Sequence, residues 1–185
     1  MEIKTKRLLL RPLRKGDEKS IVENINNLNV SKWLLVVPYP YKNKEALSWI
    51  KRNRAKWKRK KNEDYTFGIE LKETEKVIGG IGIHQIDNFQ KKAEVGYWLG
   101  EKYWNKGLGS ESLNEIIKFG LRKLNVKRLE ALVFVGNPSS GRLLEKFGFR
   151  NEGHKRKSAR CKADGKIKDE YIYGLLKEDF KELKH

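Results

Sequence analysis

The stretch Trp104-Asn105-Lys106-Gly107-Leu108-Gly109-Ser110 has the residue types of an anion-binding turn. Gly107 and Gly109 lack a Cβ, so the N–H groups of Asn105, Lys106, Gly107, Leu108, Gly109 and Ser110 can crowd around a phosphate. The helix pattern that opens at Leu108 adds the positive end of its dipole. Two familiar phosphate loops do not fit. A Walker loop needs its Lys after the second glycine, whereas Lys106 precedes both, and a dinucleotide fingerprint needs a third glycine where Ser112 stands. What remains is a main-chain grip suited to a pyrophosphate.

A second group of reactive side chains lies in Val135-Gly136-Asn137-Pro138-Ser139-Ser140, followed by Glu145-Lys146-Phe147-Gly148-Phe149. An Asn at a strand end can cap the next helix, or it can hydrogen-bond a peptide-like ligand through its amide. The single cysteine, Cys161, has no His paired with it in the sequence and reads as packing. One Cys and three scattered His make no metal site, so no metal is expected.

These residues need elements to hold them. Leu8–Leu13 reads as a first strand, and Asp17 can cap a helix running to about Asn27. An aromatic, proline-broken loop from Trp33 to Tyr41 precedes a second helix over Lys44–Lys61. On that helix, residues 49, 50, 53 and 57 share one side, so its tryptophans face inward. Tyr65–Leu71 and Val77–Ile86 pair as a hairpin, and Ala93–Leu99 is the next strand. An amphipathic helix covers Leu108–Leu124, Arg128–Val135 is a strand, and Pro138 opens a helix through Lys146. Phe149–Cys161 and Lys168–Leu176 form a last hairpin turning near Asp164-Gly165. The order is strand, two helices, three strands, helix, strand, helix, two strands, in one domain spanning residues 1–185.

The strand Gly96-Tyr97-Trp98-Leu99, the run Tyr103-Trp104-Asn105-Lys106-Gly107 and the Asn137…Ser140…Glu-Lys-Phe-Gly-Phe segment together resemble the GNAT superfamily of acyltransferases. Within it they are similar to the RimJ/RimL branch. Trp104 departs from the Gln or Arg that the superfamily loop usually has, but an aromatic is ordinary in that branch. The resemblance implies a mixed α/β GNAT acyltransferase fold, with a mostly antiparallel sheet of about seven strands flanked by helices. It also implies acetyl-CoA as cosubstrate, its pyrophosphate held by residues 105–110 and its pantetheine arm beside Asn137. In this fold the strand carrying Tyr97, Trp98 and Leu99 splays from its neighbour and offers main-chain groups to the thioester. The aromatic side chains of Tyr97, Trp98 and Trp104 are expected to pack as core and wall.

Direct acyl transfer needs a polarised carbonyl, a neutral amine and a proton for the leaving thiolate. The family's usual proton donor is a Tyr seven residues after the Asn, and that position is Leu144. Ser140 is the implied substitute. Glu94 is the first choice for a general base, with Glu130, Glu70, Asp87 and His84 as alternatives, and an ordered water as a further one. An α-amine, with a pKa of about 7.7–8.0 against about 10.4 for Lys, is already partly neutral at physiological pH. Weak base machinery therefore favours an α-amine acceptor.

The formal charge of +18 reads either as a lysine-rich solvated surface or as a docking surface for a ribosome or an acidic protein. The leading expectation is an acetyl-CoA-dependent N-acetyltransferase acting on a protein N-terminal amine, typically of a ribosomal protein. The alternatives are acetylation of a small-molecule amine, and a basic nucleic-acid-binding protein without catalysis. No apolar run is long enough for a membrane span, no signal pattern opens the chain, and the expected location is the cytoplasm.

Overall fold

The computed structural model describes residues 1–58 and 64–183. Its strands are β1 (Ile3–Lys4), β2 (Leu8–Arg11), β3 (Tyr65–Leu71), β4 (Lys76–Asp87), β5 (Lys92–Leu99), β6 (Arg128–Phe134), β7 (Arg150–Arg160) and β8 (Ile167–Leu176). They form one sheet in the order β1-β2-β3-β4-β5-β6-β8-β7. Helices α1 (Glu18–Ile25), α2 (Leu28–Ser31) and α3 (Asn43–Trp57) lie between β2 and β3. Helix α4 (Leu108–Lys118) joins β5 to β6, and α5 (Pro138–Glu145) joins β6 to β7. Neighbouring strands are antiparallel throughout, except for β5 and β6. A parallel pair needs a crossover, and α4 provides it.

The sheet has eight strands where about seven were expected. The additional one is the two-residue edge strand β1, too short to show any alternation. Thr5 makes its turn, its hydroxyl accepting from Leu8 N at 2.9 Å. Helix α2 was also not foreseen; Asn27 caps it, its Oδ1 accepting from Asn29 N at 2.8 Å. Asp17 stands before α1 but does not cap it, because its carboxylate is taken by the Arg11 guanidinium and by Arg14 N. The helix expected over Lys44–Lys61 is described only as far as Trp57; residues 59–61 lie outside the described part.

Side chains alternate along a strand, so the sheet has two working faces. On one, α4 and α5 bury Leu113, Ile116, Ile117 and Leu144 against Ile81, Ile83, Val95 and Leu129. Each such side chain contributes roughly 1.5–3 kcal/mol. The chain continues past α4 as a wider π turn over Phe119–Lys123 rather than as regular helix to Leu124. On the other face, α1 and α3 enclose Leu13, Ile21, Ile25, Ala46 and Ile50, with Trp49 and Trp98 packed alongside.

Candidate functional site

β5 and β6 pair only from Lys92/Arg128 to Glu94/Glu130. Beyond that point β5 stays with β4 through Leu99, while β6 pairs with β8. The two parallel strands therefore part, as expected, and one edge of β5 is open. Main-chain groups alternate in direction along an antiparallel strand. Gly100 N donates to Ile78 O, and Trp98 pairs with Gly80, so the N–H and C=O of Trp98 face β4. The groups of Tyr97 and Leu99 consequently face the opening. Trp98, expected with its neighbours as a main-chain partner, is engaged by β4, and its ring packs on Trp49 with centroids 6.3 Å apart. The Leu99 carbonyl already accepts from Trp104 Nε1 at 2.8 Å. Trp104, the departure from the family loop, thus closes the turn after β5.

The 105–110 loop has two left-handed residues, Asn105 (φ 58°) and Gly107 (φ 75°). Gly107 occupies the N-cap of α4, and no side chain caps that helix. Its first-turn N–H groups, including those of Leu108, Gly109 and Ser110, therefore have the directionality of an anion site. A Cβ on Gly109 would lie 3.4 Å from Leu143 and 3.5 Å from Leu99, so the loop packs close to β5 and α5. Lys106 is beside the Tyr103 ring (5.9 Å), and Ser110 Oγ accepts from Lys146 Nζ at 3.4 Å.

Two residues that sequence reasoning missed brace this loop. Arg7 Nη1 donates to the Lys106 carbonyl at 2.9 Å, and its Nη2 is 3.4 Å from where a Gly107 Cβ would stand. Glu111, buried in the first turn of α4, accepts from Thr5 Oγ1 at 2.6 Å and from Arg7 N and Nε, each at 2.7 Å. Burial pushes the Glu111 carboxyl up, but these hydrogen bonds and the guanidinium charge outweigh it and leave the group below the ordinary carboxylate range.

Helix α5 contrasts with α4, because Asn137 Oδ1 accepts from Ser140 N at 3.3 Å and caps it. Ser140 Oγ lies 2.7 Å from Tyr97 Oη, which also reaches Ser140 O at 3.3 Å. The Tyr97 side chain, expected only to pack, is thus hydrogen-bonded to the candidate acid. Burial pushes its phenol well above the ordinary range, so it keeps its proton. Leu144 is fully buried in the core and has no access to chemistry.

The opposite face of β5 carries a groove of about 620 Å³, lined by Leu34, Val37, Tyr41, Trp49, Trp98 and His84 among others. Most of the alternative bases are occupied elsewhere. Glu70 is buried against Arg11 (2.5 Å), Asp87 caps the turn at Phe89 and Gln90 (both 2.9 Å), and Glu130 is paired with Arg128 (2.8 Å). Glu94 lies at the closed end of the opening and accepts from Gln85 Nε2 at 3.0 Å. Burial and the charges of Glu130 and Glu170 push its carboxyl upward. Cys161 is buried, with its sulfur 3.5 Å from Lys32 O and 3.7 Å from Leu34 O.

The Acetyltransferase (GNAT) domain family matches residues 7–150, a span that includes the open β5 edge, the uncapped turn and α5. The chain belongs to the GNAT acetyltransferase family. An uncharacterized N-acetyltransferase of Bacillus licheniformis, p20, is 33% identical over 178 residues, covering 95% of this chain and 96% of that protein. The ribosomal-protein-serine acetyltransferase of Escherichia coli is 32% identical over 79 residues, covering 43% of this chain and 44% of that protein. The structure of a GNAT-family acetyltransferase from Bacillus anthracis superposes with a TM-score of 0.81 at 26% identity, over 96% of this chain and 99% of that one.

Within this GNAT chain, the structure brings Tyr97, Leu99, residues 105–110, Asn137 and Ser140 to one face of the parted strands. Glu94 sits apart from them, three residues or about 10 Å along β5 from Tyr97. Among the described residues, no helix is long and apolar enough to cross a membrane.

Proposed function

We propose that this acetyltransferase moves the acetyl group of acetyl-CoA directly to a primary amine, with a protein N-terminal α-amine as the acceptor. The observation that carries the reading is the open edge of β5, set between an uncapped helix N-terminus on one face and an aromatic groove on the other. When bound, acetyl-CoA supplies an activated carbonyl and a thiolate leaving group. The N–H groups of residues 105–110 hold its pyrophosphate, and Arg7 fixes their loop from behind. Asn137 borders the pantetheine arm. The Tyr97 N–H, pointing into the opening, stabilises charge on the carbonyl oxygen. Ser140, backed by the protonated Tyr97 phenol, holds a proton where the thiolate departs.

Support for an α-amine is chemical. Such an amine is already partly neutral near pH 7 and asks less of a base than a lysine does. The name of the Escherichia coli relative agrees with a protein acceptor. The groove volume supports a second reading, since about 620 Å³ is also the size of a small-molecule site. Acetyl-CoA turnover measured by thiol release, against N-terminal peptides, acetyl-capped lysine peptides and small amines, separates the two. Faster turnover of N-terminal peptides is expected. Turnover confined to small amines would replace the acceptor, and none with any amine would reject the activity.

A further inference from the structure

His84 is held in a manner that a surface histidine does not need. Its ring rests over two glycines of adjacent strands. A Cβ on Gly82 would lie 2.8 Å from both Cε1 and Nε2, and a Cβ on Gly96 would lie 3.6 Å from Cδ2 and 3.7 Å from Nε2. Any side chain at Gly82 would therefore displace the ring. On its other edge, Nδ1 lies 3.3 Å from Asp64 Oδ1. A carboxylate only accepts, so Nδ1 carries the hydrogen and Nε2 carries the lone pair. Nε2 thus lies over Gly82 and beside Gly96, the residue before Tyr97. The side chain is 31% exposed, and it lines the groove.

The geometry points to His84 as the group that takes the proton from the attacking amine, with Asp64 fixing its tautomer and orientation. This rests on the acetyl-transfer reading above. The amine lone pair forms the C–N bond, the C–S bond breaks with its electrons on sulfur, and one N–H proton passes to Nε2. Sulfur receives a proton through Ser140, the proton on Nε2 returns to solvent, and the products are an amide and a thiol. The charges acting on the ring are Asp64 and Lys56 of α3, which is bonded to Asp64 at 2.5 Å; Glu94 pairs with His84 across on β5, and Lys44, Glu45, Arg52 and Lys162 line the same groove. Burial lowers the imidazole below its ordinary value while Asp64 partly restores it, so the ring is neutral at pH 7.

Two measurements test this. Nitrogen NMR of the ligand-free protein should show His84 neutral at pH 7 with hydrogen on Nδ1. The H84Q variant should lose about 100-fold or more in kcat, and the acidic limb of its kcat/KM profile should keep only the acceptor amine's ionisation, falling from second to first order in protons, with acetyl-CoA affinity unchanged. Imidazole should partly restore turnover to His84→Ala. A protonated ring at pH 7, or hydrogen on Nε2, would overturn the proposal even without turnover data. So would an H84Q enzyme within threefold of wild type whose acidic limb stays second order in protons, or the change to first order appearing in Glu94→Gln instead. Those outcomes leave the acetyltransferase reading standing, whereas a wild-type protein inert toward every amine removes both.

Discussion

The contact between Tyr97 and Ser140 can be tested by a double-mutant cycle. Its 2.7 Å O···O separation is the optimum for a hydroxyl pair, and the phenol is held protonated by burial. Tyr97→Phe removes one oxygen without changing the ring, and Ser140→Ala removes the other. A hydrogen bond of this kind contributes about 0.5–1.5 kcal/mol net, and a buried hydroxyl left without its partner costs about 1–3 kcal/mol. If the two act as a unit in giving a proton to the thiolate, a loss near 1.4 kcal/mol corresponds to about tenfold in kcat for either single change. The double variant should then lose little more than tenfold, because the second substitution removes a group already disabled. Thiol release at saturating substrates measures kcat for the four proteins, and urea denaturation gives their stabilities. Multiplying losses, near a hundredfold in the double variant, would refute the coupled reading. An unchanged kcat in Tyr97→Phe with a lower urea midpoint would make the phenol purely structural.

Gly107→Asp should weaken acetyl-CoA binding at least about 30-fold by calorimetry. The new carboxylate competes for the same N–H groups and repels the diphosphate. Unchanged affinity would remove the loop from the pyrophosphate site. Glu111 makes acid stability a second readout. Its folded pKa lies below its ordinary 4.5, so its contribution is fully present above about pH 4.5 and is lost as pH falls through the lower folded value. Thermal melts across that range should show wild type losing more stability than Glu111→Gln, and parallel curves would contradict the assignment.

Local signals in the sequence carried far. The turn at Gly107, the helix start at Leu108 and the Pro138 helix start are encoded by residues close to one another, and each lies where expected, although the helix from Leu108 gives way to a π turn at Phe119. What escaped notice depends on contacts between distant segments. Arg7 meets Lys106 across 99 positions, Tyr97 meets Ser140 across 43, and Thr5 reaches Glu111 across 106. The direction of the Trp98 main chain follows from its register with Gly80, which periodicity does not give. Listing carboxylates could not separate Glu70, Asp87 and Glu130 from Glu94, because what distinguishes them is which partner each already holds. Charge composition was the least informative feature, since it says nothing about where acids such as Glu94, Glu130 and Glu170 gather on a basic chain.

Successive residues of β5 look in opposite directions, Tyr97 toward α5 and Trp98 toward α3, with the gap to β6 running between. On the proposed reading, the sheet is then a partition with a slot in it. Donor and acceptor come in by separate doors and meet through the slot, and neither must vacate its place for the other. A ternary complex follows naturally, and the protein has no call for a stored acyl group on a side chain of its own.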